Sequence, residues 1–179
     1  MPAATIPLIS GPTRDALALA IQALDLADGA QPVLQMRAMA DVAHCYRALG
    51  ALSPAESYLL QALRWARTLG AADASVDLLC ELAELAVEQS AALAEDDARA
   101  AHRARERARD RAFEAAGLAS RAADPHWEVQ VLLRVSESLD RCGDHGDAIA
   151  LQCRALHLLF KNDLPTWNAE PRTEAQAVM

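Results

Sequence analysis

Five histidines and four cysteines are the side chains of this 179-residue sequence with the broadest chemistry. His44 neighbours Cys45, and Cys142-Gly143-Asp144-His145, together with Cys153 or His157, has the donor types of a zinc site. A Cys-x2-His pair across a helix-ending turn needs a second ligand pair at characteristic spacing, and none follows, so no metal is expected. A serine on a nucleophile elbow, a GxGxxG turn and a P-loop are all missing. Glu84 and Glu88 lie one helical turn apart, a spacing that describes a solvated helix face far better than acid–base machinery. The expectation is a non-enzyme without a cofactor.

Those residues sit in a chain that punctuates its helices clearly. A first helix spans residues 13–28, from Thr13 to the stop at Gly29, with Leu17, Ile21 and Leu24 on one stripe. Pro32 opens a second, which runs to Gly50, because the first turn tolerates a missing N–H. Ser53-Pro54-Ala55-Glu56 reads as a capping box for a third that ends before Gly70. Asp73 is the expected cap of a helix reaching residue 93, and Asp96 or Asp97 of one reaching Ala122. Asp124-Pro125 starts a sixth that stops at Gly143, and Asp144 a seventh through Phe160. Residues 1–12 read as a loose segment, 13–160 as the helical domain and 161–179, with two prolines and no periodicity, as a tail. About seven helices with short connections make neighbours antiparallel, an all-α chain.

Composition agrees. Hydrophobic residues make up 53% but aromatics only 4%, so the apolar content is mostly Ala and Leu. Seven Gly and eight Pro are too few for a turn-rich β-sandwich. Seventeen basic against twenty-five acidic residues give a formal charge of −8, which disfavours nucleic-acid binding through a general basic surface. No apolar run reaches the roughly 18 residues of a membrane span. The opening MPAATIPLISGPTR lacks a basic n-region and a long apolar stretch, and the irregularly spaced cysteines suit reduced, buried small hydrophobes. A cytoplasmic location is the expectation.

An internal repeat overlies the helices. Ala43, Ala55, Leu59 and Ala62 recur, at the same offsets, as Ser136, Ala148, Gln152 and Ala155, and Gly50 recurs as Gly143. A middle copy runs from Ala83 to Ala112, Ala116 and Ala119 with 29 residues where the outer copies use 12, while helix 13–28 supplies only a second half. The excess falls in EDDARAAHRARERARDRAF, and Ala98, Ala101, Ala108, Ala112, Ala115 and Ala119, within and just after that stretch, recur at helical spacing on one face. With Glu81, Glu84 and Glu88 before it and Arg99, Arg103 and Arg107 within it, this reads as an elongated antiparallel hairpin. Each helix would be about eight residues, or roughly 12 Å, longer than its neighbours. The hairpin is either a solvated Arg/Glu pair or an arm that docks a partner, and residues 75–122 offer a route to a homodimer. Interleaved Glu106, Asp110 and Glu114 argue against an RNA-binding helix.

The stretch MADVAHCYRALGALSPAESYLLQALRWARTLG resembles the tetratricopeptide repeat (TPR) in its small, aromatic, Gly, Ala and Ala-Leu positions. LLRVSESLDRCGDHGDAIALQCRALHLL resembles it again through the Gly-Asp-x-x-x-Ala turn. The 40-residue step from Ala43 to Ala83 is closer to the long-helix variant of kinesin light chains and many bacterial regulators. The resemblance covers residues 32–160 and implies a right-handed αα-superhelix of antiparallel helix pairs, with peptide binding in a concave groove lined by the first helix of each pair. Carried over, the groove positions are Arg37, His44 and Arg47 in the first copy and Asp77, Glu84 and Glu88 in the middle copy. The third copy contributes Gln130, Glu137, Asp140 and Arg141. The Lys and Asn set of the chaperone-tail carboxylate clamp is absent.

The function expected is therefore an adaptor for a peptide or protein segment of basic or mixed charge. A secretion or assembly chaperone of the same fold is the first alternative, which an apolar groove would favour. A small metal-dependent enzyme is the second.

Overall fold

A computed structural model describes residues 11–27, 29 and 31–161. Seven helices follow in order: α1 (Gly11–Ala27), α2 (Pro32–Ala48), α3 (Leu52–Thr68), α4 (Ala72–Leu93), α5 (Ala98–Ala119), α6 (Pro125–Cys142) and α7 (His145–Lys161). No strand occurs among the described residues. The expected segments 1–12 and 161–179 lie outside the described residues, apart from Gly11 and Pro12, which open α1, and Lys161, which closes α7.

Helix ends show which local signals act. Gly50 and Gly143 take φ of 73° and 87°, a conformation that disfavours any residue with a Cβ. Just past them, Ala51 N–H bonds the Tyr46 carbonyl and Asp144 N–H the Leu139 carbonyl, the wrapped helix ending that such a glycine permits. Asp124 caps α6 by accepting from the N–H groups of His126 and Trp127. Asp97, of the two candidates, caps α5 through the Ala100 N–H. Two expected caps shift. The third helix begins at Leu52, so Ser53 lies inside it and forms no capping box; likewise α4 begins at Ala72 and Asp73 sits in its first turn. In both, the wrapped ending of the preceding helix delivers the chain almost directly into the next helix.

The hairpins α2/α3, α4/α5 and α6/α7 pack side by side, with α1 against α2. Their seams hold the repeat positions: Ala43, Ala55, Leu59, Ala62, Ser136, Ala148 and Ala155 are all buried. Gln152, the counterpart of Leu59, is exposed because no described helix follows α7 to cover it. Leu79, Leu82 and Leu85 of α4 and Leu132 and Leu139 of α6 fill the centre of the stack.

The middle hairpin is elongated less than expected. Its helices have 22 residues against 17 or 18 in the other pairs, an excess of about 7 Å at 1.5 Å per residue. The alanine face of α5 is spent inside the molecule: Ala101, Ala104, Ala108, Ala112, Ala115 and Ala119 are buried, although Ala98 is exposed. Arginines on the flanks reach other helices. Arg111 donates to Glu56 of α3 and to the Leu82 carbonyl, Arg107 to Gln89, and Arg109 to Asp147 of α7.

Candidate functional site

Helices α2, α4 and α6 form one wall. The pairings His44–Glu81 and Arg47–Glu84 keep a constant sequence separation, so α2 and α4 run in the same direction. Backbone approaches α6 directly from α4, whereas α2 with α4, α3 with α5 and α5 with α7 meet through long side chains.

On α4 the residues Asp77, Glu81, Glu84 and Glu88 step by four, three and four, one face of a helix. Their neighbours decide what each can do. His44 Nε2 lies 2.7 Å from Glu81. Arg47 donates to both oxygens of Glu88, the shorter bond 2.6 Å, and to Glu84 at 3.2 Å. Arg134 of α6 donates to the other Glu84 oxygen at 2.6 Å. Glu84 is thus shared by two guanidinium groups and ties three helices together.

Proton affinities follow the same contacts. The hydrogen bond to Glu81 raises the His44 pKa against the opposing effect of burial. Bonding to Glu88 raises that of Arg47. Burial works against the Arg134 charge, but the bond to Glu84 outweighs it and holds the guanidinium above its ordinary value. Burial raises the Asp77 carboxyl, with Arg134 opposing and the nearby carboxylates Glu81 and Asp73 adding to the effect. Cys80, behind this wall, is pushed up to about 12 by burial and is an inert thiol at neutral pH.

Between α2 and the first half of α4 lies a cleft of roughly 740 Å3. Val33, Met36, Ala40 and Leu78 supply its apolar lining, and Arg37, Asp73, Asp77 and Glu81 its charges. The positions expected to line a groove divide accordingly. Arg47, Glu84 and Glu88 come together but bind one another, while Arg37 and Asp77 face the open cleft. Gln130 is exposed and contacts the His126 ring; Glu137 is exposed with no ion pair among the described residues. Asp140 is held 2.6 Å from His145, and Arg141 borders a separate hollow of roughly 630 Å3 with Arg105 and Cys142. The acidic wall expected from Glu84 and Glu88 is therefore largely neutralised from within.

Sequence reading missed Arg134 and the pairing of Glu81. A signal for both exists: Gln130, Arg134, Glu137 and Arg141 repeat on α6 the four-three-four step of α4. Cys142 and His145 gather no further ligands, and no group of three His, Cys, Asp or Glu side chains suited to a metal ion occurs among the described residues. Among the same residues no helix is long and apolar enough to cross a membrane.

No protein-family model matches the chain, and no curated protein matches its sequence. Solved structures do. The DHF58 filament aligns at 23% identity over 87% of this chain and 84% of that one, with a TM-score of 0.50. BtubC (BKLC) from P. vanneervenii aligns at 18% identity over 94% of this chain and 81% of that one, with a TM-score of 0.39. A kinesin light chain of Podosopora anserina with nearly identical TPR-like repeats aligns at 15% identity over 87% and 90%, with a TM-score of 0.29. By fold, this chain is an all-α helical-repeat protein. Its seven helices, paired and stacked with small residues at each seam, make the architecture TPR-like.

Proposed function

We propose that this protein is a non-enzymatic adaptor that holds a peptide or protein segment along the face of α2, α4 and α6. The observation that carries the reading is the cleft between α2 and α4, where an apolar floor is bordered by the accessible charges of Arg37, Asp73 and Asp77. Such a surface suits a segment that buries an apolar residue and sets a Lys or Arg beside the carboxylates. Because Glu84 and Glu88 are committed to Arg47 and Arg134, selectivity for a basic or mixed-charge segment rests on Asp73, Asp77 and Glu137. The adaptor would act in the cytoplasm, in keeping with four cysteines that form no disulfide. The apolar cleft floor also favours a second reading, a chaperone that shields an apolar client segment.

The test is a peptide library of matched basic, acidic and apolar segments, screened against the wild type and Asp77→Lys. Basic segments should bind the wild type, weaken as salt screens the charges, and lose most of their affinity in the variant. Selection of apolar segments irrespective of charge would establish the chaperone reading instead. Equal binding of acidic and basic segments, unmoved by the substitution, would refute the role of these carboxylates.

A further inference from the structure

Helix α7 is apolar on two sides. One side, through Ala148, Leu151 and Ala155, packs into the core. The opposite side presents Ile149, Cys153, Leu156 and Phe160, a stripe stepping by four, three and four with every member exposed. Its flanking positions are Gln152 and His157, so no formal charge interrupts it. A helix apolar on both sides normally has both covered.

The repeat register says what this stripe does elsewhere in the molecule. The equivalent positions of α3 are Glu56, Leu60, Leu63 and Arg67, and the following helix pair covers them. There Leu63 is buried, Glu56 accepts from Arg111, and Arg67 pairs with Glu114. The stripe on α7 is thus a stacking face.

We propose that the α7 stripe pairs with the same stripe of a second copy across a two-fold axis. The four-three-four spacing reads the same in both directions. Antiparallel pairing therefore sets Ile149 against Phe160 of the second copy and Cys153 against Leu156, with all four layers filled. Helix dipoles favour this orientation, because antiparallel packing sets the last turn of one copy, with Lys161, beside the first turn of the other, while parallel packing would align like ends; Asp144, just before α7, and Asp147, in its first turn, are already paired with Arg109. Ile149, Leu156 and Phe160 are 58%, 52% and 79% exposed. With Cys153 they offer on the order of 400 Å2 of apolar surface per copy, which with its flanks reaches the lower end of specific interfaces. An interface this small makes the dimer a weak, reversible one.

Sedimentation equilibrium of the 179-residue chain from low to several hundred micromolar tests this. A monomer–dimer equilibrium is expected, little affected by salt. Leu156→Glu should weaken it at least tenfold. Phe160→Ser, at a side chain so exposed that folding cannot depend on it, should do so with unchanged circular dichroism. Leu19→Glu, on the exposed apolar side of α1, should leave the dimer intact. A monomer at every concentration overturns the proposal, as does a dimer indifferent to Phe160→Ser. Growth beyond the dimer that Leu19→Glu abolishes would show head-to-tail stacking through α1 and also overturn it.

Discussion

Replacing Glu84 with Gln keeps its shape and removes the charge that Arg47 and Arg134 share. The three side chains are 21%, 28% and 39% exposed, intermediate between surface and interior. Exposed ion pairs contribute about 0–1 kcal/mol, and breaking a buried one costs about 3–5 kcal/mol. Arg47 retains Glu88 after the change, so the loss concentrates on Arg134, which among the described residues hydrogen-bonds no other carboxylate and keeps only the longer-range influence of Glu81 and Asp77. A destabilisation of about 1–2 kcal/mol is expected, and for a chain of this size a fall in Tm of about 2–8 °C. Urea unfolding of Glu84→Gln, Arg134→Met and the double variant measures the coupling directly. The reasoning fails if the two changes add within about 0.3 kcal/mol, the behaviour of independent sites.

Ala62 is fully buried at the α3 seam, so Ala62→Glu should overpack it and bury a charge, destabilising by about 3 kcal/mol or more in the same unfolding assay. Burial raises the Glu56 carboxyl, but bonds from Arg111 and Gln89 outweigh it and hold it below its ordinary 4.5. Its stabilisation is therefore complete above pH 4.5 and lost as pH falls through the folded value; Arg111→Met should flatten that acid limb in a series of unfolding curves. The His44–Glu81 contact raises the histidine, so its contribution is complete below pH 6.5 and lost as pH rises through the folded value. An NMR titration should place His44 above 6.5, and Glu81→Gln should lower it.

Much of this molecule was legible in its sequence because helix signals are local. Glycines with positive φ at 50 and 143, aspartates before the first turns of α5 and α6, and small residues repeating at fixed offsets each act within a few residues or one seam. That was sufficient to predict seven helices and their pairing. Tertiary structure alone decided where the charges went. Glu84 and Glu88 read as an open acidic wall because spacing places them on one face. What neutralises them lies 37 to 50 residues away, on helices whose lateral offset depends on side-chain volumes throughout the core. The arginines of α5 went to α3 and α7 for the same reason: a seam built of alanine brings helices close enough for long side chains to reach past their neighbours. A helix face can be read from one segment; its partner is set by the packing of all of them.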